Sequence, residues 1–104
     1  MYYKPEEVFA AWREANGIGT EVEFVNCEIK YDGKTPSGAN PPNHEADHYT
    51  LNLTISKNIE DYYDRIDSEL LLQSLKDTML GYLDTIKYDE NHLMLVYEYH
   101  LILE

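Results

Sequence analysis

Hydrophobic positions along the chain fall into five regular stretches separated by turn chemistry. Val8, Phe9, Trp12 and Ala15 recur at helical spacing and form one apolar stripe. Pro5 suits the first helical position, where a missing N–H costs nothing, and Glu6 and Glu7 complement the positive end of the helix dipole. Asn16-Gly17 supplies the stop. Gly17 can take the left-handed conformation, which lets Ile18 fold back onto the last turn.

A strand is predicted from Glu21 to Tyr31. Val25, Cys27, Ile29 and Tyr31 alternate there with polar residues, while Val22 and Phe24 fall in the opposite phase. A bulge near Phe24-Val25 reconciles the two runs. The segment 32–48, "DGKTPSGANPPNHEADH", carries three prolines and two glycines and reads as one long loop. The next strand places Tyr49, Leu51, Leu53 and Ile55 on one face and Thr50, Asn52, Thr54 and Ser56 on the other, a face both polar and uncharged.

A helical stripe then runs from Ile59 through Tyr63, Ile66 and Leu70 to Leu75, Met79, Leu83 and Ile86. It shifts phase near Asp67-Ser68, which predicts a short helix joined to a longer one. The last strand runs from His92 almost to the C-terminus. Leu93, Leu95, Tyr97, Tyr99, Leu101 and Leu103 line one face, and Met94, Val96 and Ile102 interrupt the other. Apolar residues on both faces predict a central position in the sheet. The expected fold is α+β in the order α-β-β-α-β. It combines a small antiparallel sheet packed by the long helix with an N-terminal helix at the edge or on the other face.

A length of 104 residues fits a single domain, 1–104. Charge changes the picture most. Twenty Asp and Glu against eight Lys and Arg give a net charge of −12, which repels nucleic acid and anionic membranes and attracts basic surfaces. No direct nucleic-acid or membrane partner is therefore expected. The single cysteine, Cys27, excludes an internal disulfide framework and reads as a buried free thiol. With no visible signal peptide and no run of 18 apolar residues, the expectation is a cytoplasmic protein.

One short motif suggests catalysis. His44-Glu45-Ala46-Asp47-His48 resembles the zinc-protease pattern H-E-x-x-H over these five residues. That pattern works because a helix sets the two histidines on one face beside a glutamate. Here prolines precede it, a strand follows it and the longer metzincin continuation is missing. A solvated acidic loop is the preferred reading, and a metal-dependent hydrolase through His44, Glu45 and His48 is the remote alternative. Neither a phosphate-binding loop nor a dinucleotide fingerprint nor a nucleophile elbow appears. No enzyme activity, cofactor or metal is expected.

The densest acidic patch is Glu60, Asp61, Asp64, Asp67 and Glu69, with Tyr62 and Tyr63 inside it. Residues three or four apart on a helix are neighbours, so Glu60, Asp64 and Asp67 can make a row of negative charge, spaced like successive phosphates of one strand. Ten tyrosines, several of them beside carboxylates, suit a protein-binding surface. The leading expectation is a small acidic inhibitor of a basic, nucleic-acid-binding partner protein. Immunity proteins and phage-encoded DNA mimics work in that way. The alternative is a structural assembly component, because the element order resembles that of small phage tail-completion proteins. Unpaired sheet edges would in either case be open to a homodimer or a higher homo-oligomer.

Overall fold

The computed structural model describes residues 4–36, 45–91 and 94–104, and only the backbone of 35, 36, 45 and 88–91. Helix α1, Pro5–Ala15, has Pro5 in its first turn with Glu6 and Glu7. It ends in a Schellman motif. Gly17 sits at φ +69°, the Gly17 N–H donates to Glu14 O at 3.2 Å and the Ile18 N–H to Arg13 O at 2.9 Å. Ile18 is thereby turned into the core.

Strand β1, Phe24–Pro36, and strand β2, Glu45–Ile55, form an antiparallel pair. Their register shifts between Phe24 and Asn26, which is the bulge that the phase change in the sequence requires. It shifts again between Tyr31 and Gly33, so Asp32 is a second extra residue. Both strands reach well into the segment read as a loop over 32–48. Gly33 pairs with His48, Lys34 with Asp47 and Thr35 with Ala46. Backbone pairing across the hairpin outweighs the turn-rich composition there, and 37–44 lies outside the described residues.

A 3-10 segment, Lys57–Tyr62, leads into helix α2, Ser68–Asn91. The break falls where the stripe shifts. Asp67 caps α2, its Oδ1 accepting the Glu69 N–H at 2.9 Å and the Leu70 N–H at 3.4 Å. Strand β3, Met94–Leu103, completes the α+β fold in the expected element order.

The sheet is mixed rather than wholly antiparallel. Its order is β1-β2-β3, with β2 and β3 parallel, so β2 is the central strand and β3 an edge. The cause is the length of α2. Its 24 residues span about 36 Å and carry the chain back to the end where β2 began. A helical crossover of this kind is what a parallel pair needs.

Both helices cover the same face of the sheet, and α1 does not take the opposite one. Val8, Phe9 and Trp12 of α1 share one cluster with Leu71, Leu75, Met79 and Leu83 of α2 and with Tyr49, Leu51, Leu53 and Ile55 of β2. Trp12 Nε1 donates to Ser74 Oγ at 3.3 Å, and the Phe9 and Phe24 rings lie 6.1 Å apart. Among the described residues no element covers the other face. On it Met94, Val96 and Ile102 are exposed, and Thr50, Asn52 and Thr54 are half-buried.

Two substitutions in α2 test this account, each read by urea denaturation. Asp67→Ala removes the cap and costs about 1 kcal/mol. Gly81 has helical backbone, and a Cβ there would meet no atom within 4 Å. Gly81→Ala therefore stabilises the protein by about 1 kcal/mol.

Candidate partner-binding surface

One end of the sheet gathers carboxylates from three separate parts of the chain. Strand β1 starts there, β2 and β3 finish there, and α2 begins beside them. The turn 19–23 is bound to the 3-10 segment at that end. The Glu23 N–H donates to Ser56 Oγ at 2.7 Å, the Ser56 N–H to Glu23 O at 2.8 Å and Asn58 Nδ2 to Glu21 O at 2.6 Å. The Lys57 N–H donates to Glu104 O at 2.8 Å, which brings in the last residue.

Tyr62 is the centre of this arrangement. Its hydroxyl donates to Glu21 Oε1 and accepts the Gly19 N–H at 2.8 Å. The Arg65 guanidinium lies 4.7 Å from its ring centroid. The hydrogen bond from Tyr62 holds the Glu21 carboxyl below the usual carboxylate range, helped by a backbone hydrogen bond and by the charges of Arg65 and Arg13. A side chain at Gly19 would collide with the Glu21 carboxylate and push that exposed side chain from its place beside Tyr62.

The predicted site residues divide by this geometry. Glu60, Asp61, Asp64, Asp67 and Glu69 are all exposed at this end, but not as one helical row. Glu60 and Asp61 sit on the 3-10 segment, Asp64 lies in the turn after it, and Asp67 is committed to capping α2. Tyr62 is 6% exposed and belongs to the core, so its ring is not a contact surface. Tyr63 is half-buried, and burial with the nearby Glu60 charge pushes its hydroxyl pKa up. Glu21 and Glu23 were missed from the sequence. They lie some forty positions from the patch, and the bonds to Tyr62, Ser56 and Asn58 bring them to it.

The remaining candidates behave differently. Glu45–His48 is strand, so Asp47 and His48 point to opposite faces and the helical geometry behind H-E-x-x-H is not adopted. His44 lies outside the described residues. Asp47 is 2% exposed and accepts from the Tyr31 hydroxyl at 3.0 Å. Among the described residues no group of three or more His, Cys, Asp or Glu is placed to hold a metal ion. Burial pushes the Cys27 thiol up to about 11, which keeps it protonated and unreactive at neutral pH. His100 Nε2 and Glu98 Oε1 are 3.2 Å apart on the open face. Tyr2, Tyr3 and the Tyr88 side chain lie outside the described residues.

Fold and surface together define a two-layer α+β protein with one open sheet face and one strongly acidic end. No family model, curated protein or solved structure matches the chain. No helix among the described residues is long and apolar enough to cross a membrane.

Tyr62→Phe tests what organises the acidic end. Leaving the part-buried Gly19 N–H without its acceptor costs about 1–2 kcal/mol in urea denaturation. The Glu21 carboxyl, read by NMR titration, rises back toward the ordinary range. A lowered carboxylate pKa stabilises above its unfolded value, and that contribution is lost as pH falls through the folded value. The gap between wild type and variant therefore narrows in acid but does not close, because the Gly19 N–H stays unpaired.

Proposed function

We propose that the protein is a cytoplasmic binding module with no chemistry of its own, an acidic inhibitor that occupies the nucleic-acid-binding groove of a basic partner protein. The observation that carries this reading is where the charge lies. Every described acidic side chain except Asp47 is exposed. Among the described residues several cations are engaged within the protein. Arg13 donates to Val22 O and lies over Phe9, Arg65 lies over Tyr62, Lys87 over Tyr49, and Lys30 lies beside Asp32. The field of the −12 chain is thus presented outward. At the acidic end Glu21, Glu23, Glu60, Asp61 and Asp64 stand on a backbone fixed by cross-chain hydrogen bonds. A cluster of carboxylates on a fixed backbone loses little backbone entropy on meeting a cationic groove.

The second reading, a structural assembly component, draws on the apolar side chains left exposed on the open sheet face. Such a protein would assemble into closed rings.

The test is binding to a panel of basic nucleases and DNA-binding proteins across a salt series. The inhibitor reading expects affinity to fall steeply with salt, and Asp61→Lys with Asp64→Lys to weaken binding at least about tenfold through charge alone. Affinity that is flat in salt, or that survives both reversals, overturns it.

A further inference from the structure

The two edges of the sheet are built differently. Strand β1 carries the devices that keep an edge from pairing: two register shifts, the charged residues Glu28, Lys30, Asp32 and Lys34, and Pro36. Strand β3 has none of them. Its ten residues pair with β2 without a register shift, contain neither proline nor glycine, and carry only Glu98 and His100 as titratable side chains apart from tyrosine. Among the described residues no strand pairs with its outer side.

The sequence of β3 is also symmetric about Tyr99. Counting outward, His100 matches Glu98, Leu101 matches Tyr97, Ile102 matches Val96 and Leu103 matches Leu95. An antiparallel partner of the same sequence, centred on Tyr99, would therefore set Glu98 opposite the partner's His100 and His100 opposite the partner's Glu98. Val96, 38% exposed, would face the partner's Ile102, 46% exposed, on the open face of the sheet. Every exposed position on that face of the strand except Met94 would then gain a complement of matching chemistry. Below the sheet, a groove of about 470 Å³ lies between β3 and α2, lined by Glu69, Leu72, Gln73, Lys76, Tyr99 and Leu101. It lies where the inward side chains of an added strand would go.

We propose that β3 pairs with β3 of a second copy of this chain, antiparallel and two-fold symmetric about Tyr99, to make a continuous six-stranded sheet. An isologous contact of this kind closes on itself at two chains. It does not depend on the inhibitor reading, because its surface is the edge strand and shares with the predicted acidic patch only Glu69, at the rim of the groove.

Light scattering after size exclusion should give twice the 12.2 kDa chain mass, falling toward one chain on dilution. Val96→Lys with Ile102→Lys should give a single-chain mass with an unchanged circular dichroism spectrum, since both side chains are exposed in the monomer. Register is read by cysteine pairing in a Cys27→Ser background. Directly opposed positions have Cβ atoms about 4.5–5.5 Å apart and can be bridged, whereas diagonal neighbours lie about 7–8 Å apart and cannot. Oxidising a mixture of Glu98→Cys and His100→Cys chains should therefore yield a covalent dimer, and oxidising either alone should not. A single-chain mass at the highest soluble concentration overturns the proposal. So does a closed ring of more than two chains, or cross-linking in either separate sample but not in the mixture.

Discussion

The structure depends on one contact above all, the seating of the inner face of β2 under α2. Leu51, Leu53 and Ile55 have no exposed surface, nor do Leu75, Met79 and Leu83 opposite them. Burying a side chain of this size contributes about 1.5–3 kcal/mol, so this seam supplies much of the favourable energy of a small domain. It also fixes the layers. With two helices laid on one face of the three-stranded sheet, no element among the described residues covers the other. The central strand meets that condition with Thr50, Asn52 and Thr54, which hydrogen-bond readily with water and carry no charge. A hydrophobic second face on β2 would have needed a third layer.

Local structure was largely legible in the pattern of side chains, because helix and strand periods depend only on near neighbours. The cap at Gly17, the bulge after Phe24 and the break before Ser68 each follow from chemistry within a few residues. The strand arrangement was not legible. A strand in a parallel pair shows the same two-residue period as one in an antiparallel pair, so periodicity could not orient β3. Met94, Val96 and Ile102 looked like a second buried face, since apolar residues on both sides of a strand normally mark the centre of a sheet. They are instead the outer face of an edge strand. The hairpin was misread for a related reason. Proline and glycine near Pro36 suggest a loop, yet Thr35 and Ala46 still pair because the flanking register carries them.

The acidic surface was half legible. Composition located the charge at Glu60–Glu69, but the helical row assumed a continuous helix where the chain turns between Tyr62 and Asp67. Tyr62 is the telling residue. Read as an exposed aromatic among carboxylates, it is a buried one whose hydroxyl fastens the 19–23 turn to the 3-10 segment. Its role is positional, because with Asn58 it holds Glu21 at the end of the sheet that also carries Glu60 and Asp61. A pairing across some forty residues leaves no periodic signal, and only the lone Gly19, needed for the close approach of the Glu21 carboxylate, hints at it.

A chain of charge −12 that pairs with itself must keep its charges apart, and the geometry of β3 allows this. The acidic end lies at the C-terminal end of the strand, where Glu104 meets Lys57. Tyr99 is five positions away, about 17 Å along an extended chain. A two-fold axis at Tyr99 would carry the partner's acidic end an equal distance in the opposite direction. The two ends would stand about 33 Å apart, several times the screening length of about 8 Å at physiological ionic strength. Repulsion between them is then mostly screened. On the strand itself the charged positions nearest the axis are Glu98 and His100, while Glu69 and Lys76, of opposite sign, line the groove beside Tyr99. The acidic ends would remain free and point outward at either end of the extended sheet. Self-association would use the edge strand, and a basic partner the carboxylates of the 19–23 turn and the 3-10 segment, with Glu69 the member of the predicted patch that lines the groove beside β3.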